Sequence, residues 1–328
     1  MACLVTGASG FLGGRLAQML HERGDQVVIL ARTTSNLIHL SSVPVRIVRG
    51  DLSDVASLRE AVHDVGTIFH CAACSTDWAP KQRYYEANVV GTQNLVAAAR
   101  EVPGLQRFLH VSTTDIYGYP QVPCTEEQAA VDAGLPYNQT KVLGEAAVWS
   151  AYREHGLPIT IVRPATIYGP RGKDFTVEVA TLLRQRVMAT IDGGAAQGGF
   201  TYVDCVAEAM LDAAASPHTI GQAYNISGGT GATWKQYAAE FADQLGVKPP
   251  WINLPFSAAM SMARTMEAAY GSLGLRARPL LTRHAVYLLA RSQEFPIQKA
   301  VSEFGFSPKI SVEEGIRRSV AWLREGES

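Results

Sequence analysis

The chain has 328 residues, of which 47% are hydrophobic and 18% charged, and a formal net charge of −1. That composition describes a globular protein able to bury a sizeable core. With no long run of Lys and Arg, it argues against a nucleic-acid partner held through its phosphates.

The opening "MACLVTGASG" lacks a basic segment followed by a long apolar run, so no signal peptide is expected. "WINLPFSAAMSMA", the longest charge-free apolar stretch towards the C-terminal half, is too short and interrupted to span a bilayer. Five cysteines (Cys3, Cys71, Cys74, Cys124, Cys205) show no disulfide rhythm, and a reducing cytoplasm is the expected location. Cys71 and Cys74 form a C-x-x-C without a second ligand pair, so no metal site is expected.

"ACLVTG" predicts a strand and "FLGGRLAQMLHERG" a helix ending at Gly24. "QVVILAR" and "VRIVRG" read as the next two strands, and the helical "VASLREAVHD" leads to the strand "TIFHCAA". A long helix from about Gln82 to Arg100 precedes the strand "RFLHVST". A helix from near Tyr137 into "WSAYREHG" then feeds the strand "ITIVRP". Repeated alternation of this kind implies an α/β fold, a Rossmann-type doubly wound parallel sheet. Ligands of such sheets bind at the carboxyl ends of the strands. After about Pro170 the alternation loosens. The expected division is a dinucleotide-binding domain over residues 1–169 and a smaller, mainly helical substrate region over 170–328. The chain is expected to return to the sheet around 200–228, at "FTYVDC" and "AYNISG".

"TGASGFLGG" sets Gly7, Gly10 and Gly13 between the first strand and the first helix. Small residues there allow a tight turn and close approach of backbone to a pyrophosphate, which the helix N-terminus attracts. An acid at the end of the second strand would bond the adenosine ribose and repel a 2′-phosphate. Here "VVILARTTSN" puts Arg32 at that point, which favours NADP(H) over NAD(H). Arg32 stacking on the adenine of NAD(H) is the alternative. Asp51, in "RGDLSD", is a candidate acceptor for the adenine amino group.

"LPYNQTKVLGE" places Tyr137 and Lys141 four residues apart, on one helix face. An ammonium beside a phenol is expected to lower its pKa from the usual value of about 10. Such a tyrosine gives a proton to a carbonyl oxygen, or removes one from an alcohol in reverse. "HVSTTDIYG" offers Thr113, or Ser112, to hold the substrate oxygen.

Through "TGASGFLG", "GDLSD", "FHCAA", "NVVGTQNL", "HVSTTDIYG", "YNQTK", "RPATIYGP", "FTYVD" and "YNISGG" the chain resembles the extended short-chain dehydrogenase/reductase superfamily over nearly its whole length. The resemblance implies Tyr137 as acid/base, Lys141 as its partner and Thr113 as the oxygen-positioning hydroxyl. It implies cofactor contacts at Gly7, Ser9, Gly10, Phe11, Leu12, Gly13, Arg32, Asp51, Leu52, Ala72, Ala73, Asn88, Ser112, Tyr137, Lys141, Pro164, Ala165 and Ile167. Substrate contacts are expected at Thr76, Trp78, Asp115 and Phe175. A homodimer formed by the long helix after the fourth strand and the tyrosine helix is implied as well.

Sugar-nucleotide members of this superfamily usually carry an arginine just before "F-x-Y-V-x-D" to pair with the diphosphate. In "AQGGFTYVDC", Gly198 and Gly199 stand there and Cys205 replaces the second acid; Arg171, Lys173 or Arg184 would have to compensate. "TTD" puts Thr114 where dehydratases have an acid. From Phe256 to Leu273, Phe256, Met260, Ala263, Met266, Tyr270 and Leu273 recur at helical spacing. That stripe reads as ordinary core, as a lid over an apolar pocket, or as a helix resting on a membrane surface. The tail "PLLTRHAVYLLARSQEFPIQKAVSEFGFSPK" resembles the 3β-hydroxysteroid dehydrogenase-like and dihydroflavonol-reductase-like branches. The leading expectation is therefore NADP(H)-dependent hydride transfer to or from a ketone or secondary alcohol of a bulky, largely apolar substrate. The alternatives are a sugar-nucleotide epimerase or reductase and a non-catalytic NADP-sensing protein.

Overall fold

A computed structural model describes residues 2–275 and 277–326. Its strands, in chain order, are β1 (Ala2–Thr6), β2 (Gln26–Ala31), β3 (Val45–Arg49), β4 (Val65–His70), β5 (Arg107–Val111), β6 (Ile159–Pro164), β7 (Ile167–Tyr168), β8 (Ala189–Ile191), β9 (Thr201–Tyr202), β10 (Gln222–Ile226) and β11 (Ile252–Leu254). Seven of them form one parallel sheet in the order β10-β6-β5-β4-β1-β2-β3. Strands such as "ITIVRP" are buried at every residue, as expected of a parallel sheet covered on both faces. The chain enters at β1, winds out to β3, then crosses back to β4 and continues the other way. That reversal sets the carboxyl ends of β1 and β4 side by side and opens a crevice between them.

One apolar layer joins the sheet to Leu16 and Leu20 of the helix Phe11–Glu22 and to Val206 and Met210 of the helix Val203–Ala215. The opposite layer takes in Leu58, Leu95, Val96, Val148 and Ala151 from the helices Val55–Val62, Gly91–Arg100 and Pro136–His155. The expected long helix beginning near Gln82 forms as Lys81–Tyr85, a widened π-helical turn over Glu86–Val90, and Gly91–Arg100.

"AYNISG" supplies β10, beside β6. "FTYVDC" does not join that sheet. Thr201–Tyr202 pairs only with β7, and a helix begins at Val203. The physical reason is the pattern after Tyr202, where Val203, Val206, Ala207, Met210 and Leu211 recur at helical spacing and bury against the core. A third cluster gathers Tyr168, Phe200, Trp234, Tyr237 and Phe241. A fourth, smaller one joins Ile191, Ala259, Met260, Ala263 and Val286. Among the described residues, no helix is long and apolar enough to cross a membrane.

A buried polar network ties the tyrosine helix Pro136–His155 to the sheet. Arg163, at the end of β6, donates through Nη2 and Nε to the two carboxylate oxygens of Glu145, at 2.5 and 3.2 Å. Its Nη1 reaches the Tyr117 hydroxyl at 2.8 Å, and that hydroxyl donates to Asn225 of β10. Asn138 adds a second tie, donating to the backbone carbonyls of Asp115 and Val131.

Candidate functional site

A cavity of about 1080 Å³ opens at the carboxyl ends of the strands. At one end lies the turn Gly7–Gly10. Gly7 has φ +74, and a Cβ there would come within 2.7 Å of the Ala72 nitrogen on β4's extension; a Cβ on Gly13 would lie 2.6 Å from the Gly7 carbonyl oxygen. The helix Phe11–Glu22 starts at Gly10 without a side-chain cap. Its first N–H groups are therefore available to an anion. This close-packed turn and uncapped N-terminus fit a dinucleotide pyrophosphate. His39 Nε2 bonds the Ala8 carbonyl at 3.0 Å and steadies the turn.

Arg32, exposed at the end of β2, borders the cavity with Ser35, Asp51 and Leu52. Arg49 donates to the Arg32 carbonyl at 3.1 Å, so two guanidinium-bearing residues meet at this corner. Asp51 accepts from the backbone and the hydroxyl of Ser53, which orients its carboxylate.

At the other end, Ser112, Thr113, Tyr137 and Lys141 converge. The tyrosine helix begins with Pro136 at its first position, where a missing N–H costs nothing. Thr113 and Tyr137 both border the cavity. The Tyr137 phenol is pushed above its usual pKa, first by burial and then by the charge of Asp115, with the nearby Thr113 hydroxyl opposing. The expected lowering by Lys141 is therefore not what the structure shows: desolvation of the phenolate is the largest influence, followed by the Asp115 charge. Lys141 donates from Nζ to the Val111 carbonyl at 2.7 Å, and burial lowers its pKa to about 8. Behind it, burial takes His70 down to about 3 and His110 well below its ordinary value, so Lys141 is flanked by neutral imidazoles. Ser112 Oγ has no protein partner. Cys71 is raised to about 12 by burial, and Cys74 also upward, so neither is a thiolate at neutral pH.

Gly7, Ser9, Gly10, Phe11, Leu12, Gly13, Ala72, Ala73, Pro164, Ala165, Ile167, Asp115 and Phe175 border the cavity too. Asn88, Thr76 and Trp78 do not. The Asn88 amide is fully occupied, accepting from the Cys74 N–H and donating to the Cys74 carbonyl and Thr140. It holds the wall from behind. Thr76 bonds the Trp78 backbone, and the Trp78 ring packs edge-on against Tyr270 at 6.4 Å.

The C-terminal region closes the far wall with Met262, Met266, Leu281, Leu288 and Leu289. The helical stripe is thus divided. Met260 and Ala263 are core, Met266 faces the cavity, and Leu273 is exposed. Sequence reasoning missed three polar participants here. Arg278 makes a two-pronged ion pair with Asp77, at 2.5 and 2.7 Å, and also pairs with Glu178. Thr282 donates to Asp77 at 2.7 Å. His284 bonds Asp115 at 2.7 Å and stacks on the Tyr137 ring, with centroids 5.5 Å apart. No local spacing signals these, because Asp77 and Arg278 are 201 residues apart.

Residues 3–227 match the model of the NAD dependent epimerase/dehydratase family, and the chain belongs to that family. It is 31% identical to a 2-alkyl-3-oxoalkanoate reductase of Stenotrophomonas maltophilia, over 97% of this chain and 98% of that protein. It is 29% identical to an Arabidopsis thaliana 3beta-hydroxysteroid-dehydrogenase/decarboxylase, over 97% of this chain and 78% of that one. The fold is shared with a UDP-glucuronic acid 4-epimerase from Bacillus cereus in complex with NAD, at 22% identity and a TM-score of 0.79, over 99% or more of both chains. The protein is accordingly an NAD(P)-dependent enzyme of the extended short-chain dehydrogenase/reductase type.

Burying the Lys141 amine costs stability. Its folded pKa of about 8 lies below the unfolded value of 10.5, so between those pH values the unfolded state binds more protons and stability rises with pH. Lys141→Met is expected to stabilise the fold by about 1–3 kcal/mol near neutral pH. The gain should shrink as pH rises from 8 towards 10.5, as checked by urea unfolding at several pH values.

Proposed function

We propose that this enzyme transfers hydride between NADP(H) and a ketone or secondary alcohol of a bulky, largely apolar substrate. The observation that carries the reading is the gathering of Ser112, Thr113, Tyr137 and Lys141 on one cavity whose far wall is made of Met and Leu side chains. The nicotinamide, when bound, supplies or accepts the hydride. Thr113 holds the substrate oxygen by its hydroxyl. Tyr137, kept protonated by burial, gives its phenolic proton to that oxygen in reduction. Lys141, held by the Val111 carbonyl on the same cavity wall, supplies a positive charge to the site as proton passes. Arg32, with no carboxylate in its place, supports a 2′-phosphate. The similar S. maltophilia protein is named as a reductase of an oxo compound bearing an alkyl branch, which agrees with an apolar far wall.

The sugar-nucleotide reading lacks the usual arginine before "FTYVD", and of the three residues that would have to compensate only Lys173 is among those bordering the cavity. Gly199 has φ +60, and a Cβ there would come within 2.9 Å of Gln293 Cβ, so an arginine does not fit. Arg278 is already paired with Asp77 and Glu178. A cofactor-sensing role without catalysis would have no use for Thr113, Tyr137 and Lys141 together.

Tyr137→Phe is expected to lower kcat about 100-fold or more with NADPH affinity nearly unchanged; substantial retained turnover in the absorbance assay sinks the acid/base role. Arg32→Ser should raise the Kd for NADPH about tenfold or more and leave that for NADH little changed, by fluorescence titration. We also propose a homodimer through the two helices flanking Asn88 and Tyr137, where Tyr85 and Leu143 are exposed. Light scattering should give twice the chain mass; a monomer at working concentration removes that proposal.

A further inference from the structure

Val187, Met262 and Leu280 border the cavity and are also exposed, so its apolar lining continues outward onto the surface. On the helix Phe256–Ser272, Met262 and Met266 fall on one face, and Leu273 just past its end continues that face. Met266 borders the cavity, and Leu273 is 70% exposed. The end of this helix is fixed: Gly274 turns the chain at φ +62, and the Leu275 N–H bonds the Tyr270 carbonyl at 2.9 Å. Leu275, set by that bond, is exposed like Leu273. Trp251 precedes the cavity-lining Ile252 and is also 70% exposed. Its indole N–H bonds the carbonyl of Arg186, the residue before Val187, at 3.2 Å. Single exposed apolar side chains are ordinary. A group of them around the mouth of an apolar cavity marks a contact surface.

The charges around this rim select its partner. Arg186, which holds the indole, and Lys248, shortly before Trp251 in the chain, are both exposed. Two acids of the same region are already engaged: Asp192 accepts the Phe256 N–H at 3.0 Å, and Glu267 pairs with Arg283. An exposed indole with basic neighbours and protruding Leu and Met side chains matches the boundary of a bilayer that carries anionic headgroups. Among the described residues no helix is long and apolar enough to cross that bilayer, so the contact is interfacial. We propose that this rim docks on an anionic lipid surface, and that substrate passes from the bilayer into the cavity along the apolar path. This rests on the apolar-substrate reading above and adds where that substrate is taken up. Each methylene exposed to water on the way is unfavourable, and a continuous apolar path removes that barrier.

Sedimentation with sucrose-loaded vesicles tests the docking, with pure phosphatidylcholine compared against a phosphatidylcholine–phosphatidylglycerol mixture. Trp251→Ser, Leu273→Ser and Leu275→Ser are combined in one variant, since these residues lie outside the cavity lining. The unmodified enzyme should sediment with the mixed vesicles and less with phosphatidylcholine alone. The variant should lose about tenfold or more in partition coefficient. Activity with NADP⁺ is read on 2-hexanol in solution and on 2-hexadecanol carried in mixed vesicles. The variant should keep its rate on the soluble alcohol and lose about tenfold on the vesicle-borne one. Thermal unfolding checks the fold; if the combined variant does not fold, Trp251→Ser alone takes its place, with a loss of about threefold or more. The inference is overturned if the unmodified enzyme ignores both vesicles, if phosphatidylglycerol makes no difference, or if the variant sediments equally well. A dimer that the variant breaks, seen by light scattering, overturns it too, because a second copy would then cover the rim. Failure on both alcohols with sedimentation intact instead removes the hydride-transfer reading and leaves the docking surface standing.

Discussion

The site depends on one buried ion pair. Arg163 stands at the end of β6 and Glu145 projects one turn beyond Lys141, so their contact sets how the tyrosine helix lies across the carboxyl ends of β5 and β6. Neither charge is tolerable alone in the interior, and breaking such a pair costs about 3–5 kcal/mol. Their mutual need therefore makes the helix position stiff. Tyr117, Asn225 and Glu126 extend the network to β10, where the Glu126 carboxylate accepts from the Asn225 N–H at 2.8 Å. Two segments far apart in sequence are thereby locked to the same strand end.

On that frame several buried polar groups are held at a cost in stability. Lys141 is a buried amine with one carbonyl partner. His110 is buried with neither ring nitrogen bonded to protein, and Ser112 is similar. A sheet built for stability alone would have apolar residues at these positions. Concentrating unsatisfied polar groups within one strand end and one helix turn is the usual signature of a functional site. The neutral histidines add no competing charge beside Lys141.

The C-terminal region adds shape and selectivity to this chemistry. Its apolar residues make the far wall. Arg278, Asp77, Glu178 and Thr282 join that wall to the loop after β4 and to the turn around Phe175. Arg278 is only partly buried, so its value as an ion pair is modest in water, but its two-pronged geometry orients the segment that delivers His284. The C-terminal layer thus lies over the strand ends that this fold shares with many enzymes.

Local chemistry made much of this readable in the chain itself. The glycine turn before an amphipathic helix, the strand–helix alternation, and the Tyr137–Lys141 spacing each follow from steric and periodic rules that act within a few residues. The family resemblance rests on those same local motifs. "FTYVDC" is expected to return to the main sheet, yet only Thr201–Tyr202 form a short strand, paired with β7, and the apolar face that follows is buried by tertiary packing as a helix. Asn88, Thr76 and Trp78 lie in the right segments but turn away from the cavity, since side-chain direction depends on which backbone groups need partners. The sequence by itself determined the glycine turn, the strand–helix alternation of a parallel sheet and the Tyr137–Lys141 spacing, because each is encoded by short-range spacing. Only the tertiary structure decided that burial raises rather than lowers the Tyr137 pKa, that Arg278 is neutralised, and that His284 meets Asp115 across 169 residues of chain. Desolvation and long-range pairing depend on what surrounds a group in space, and no local pattern carries that.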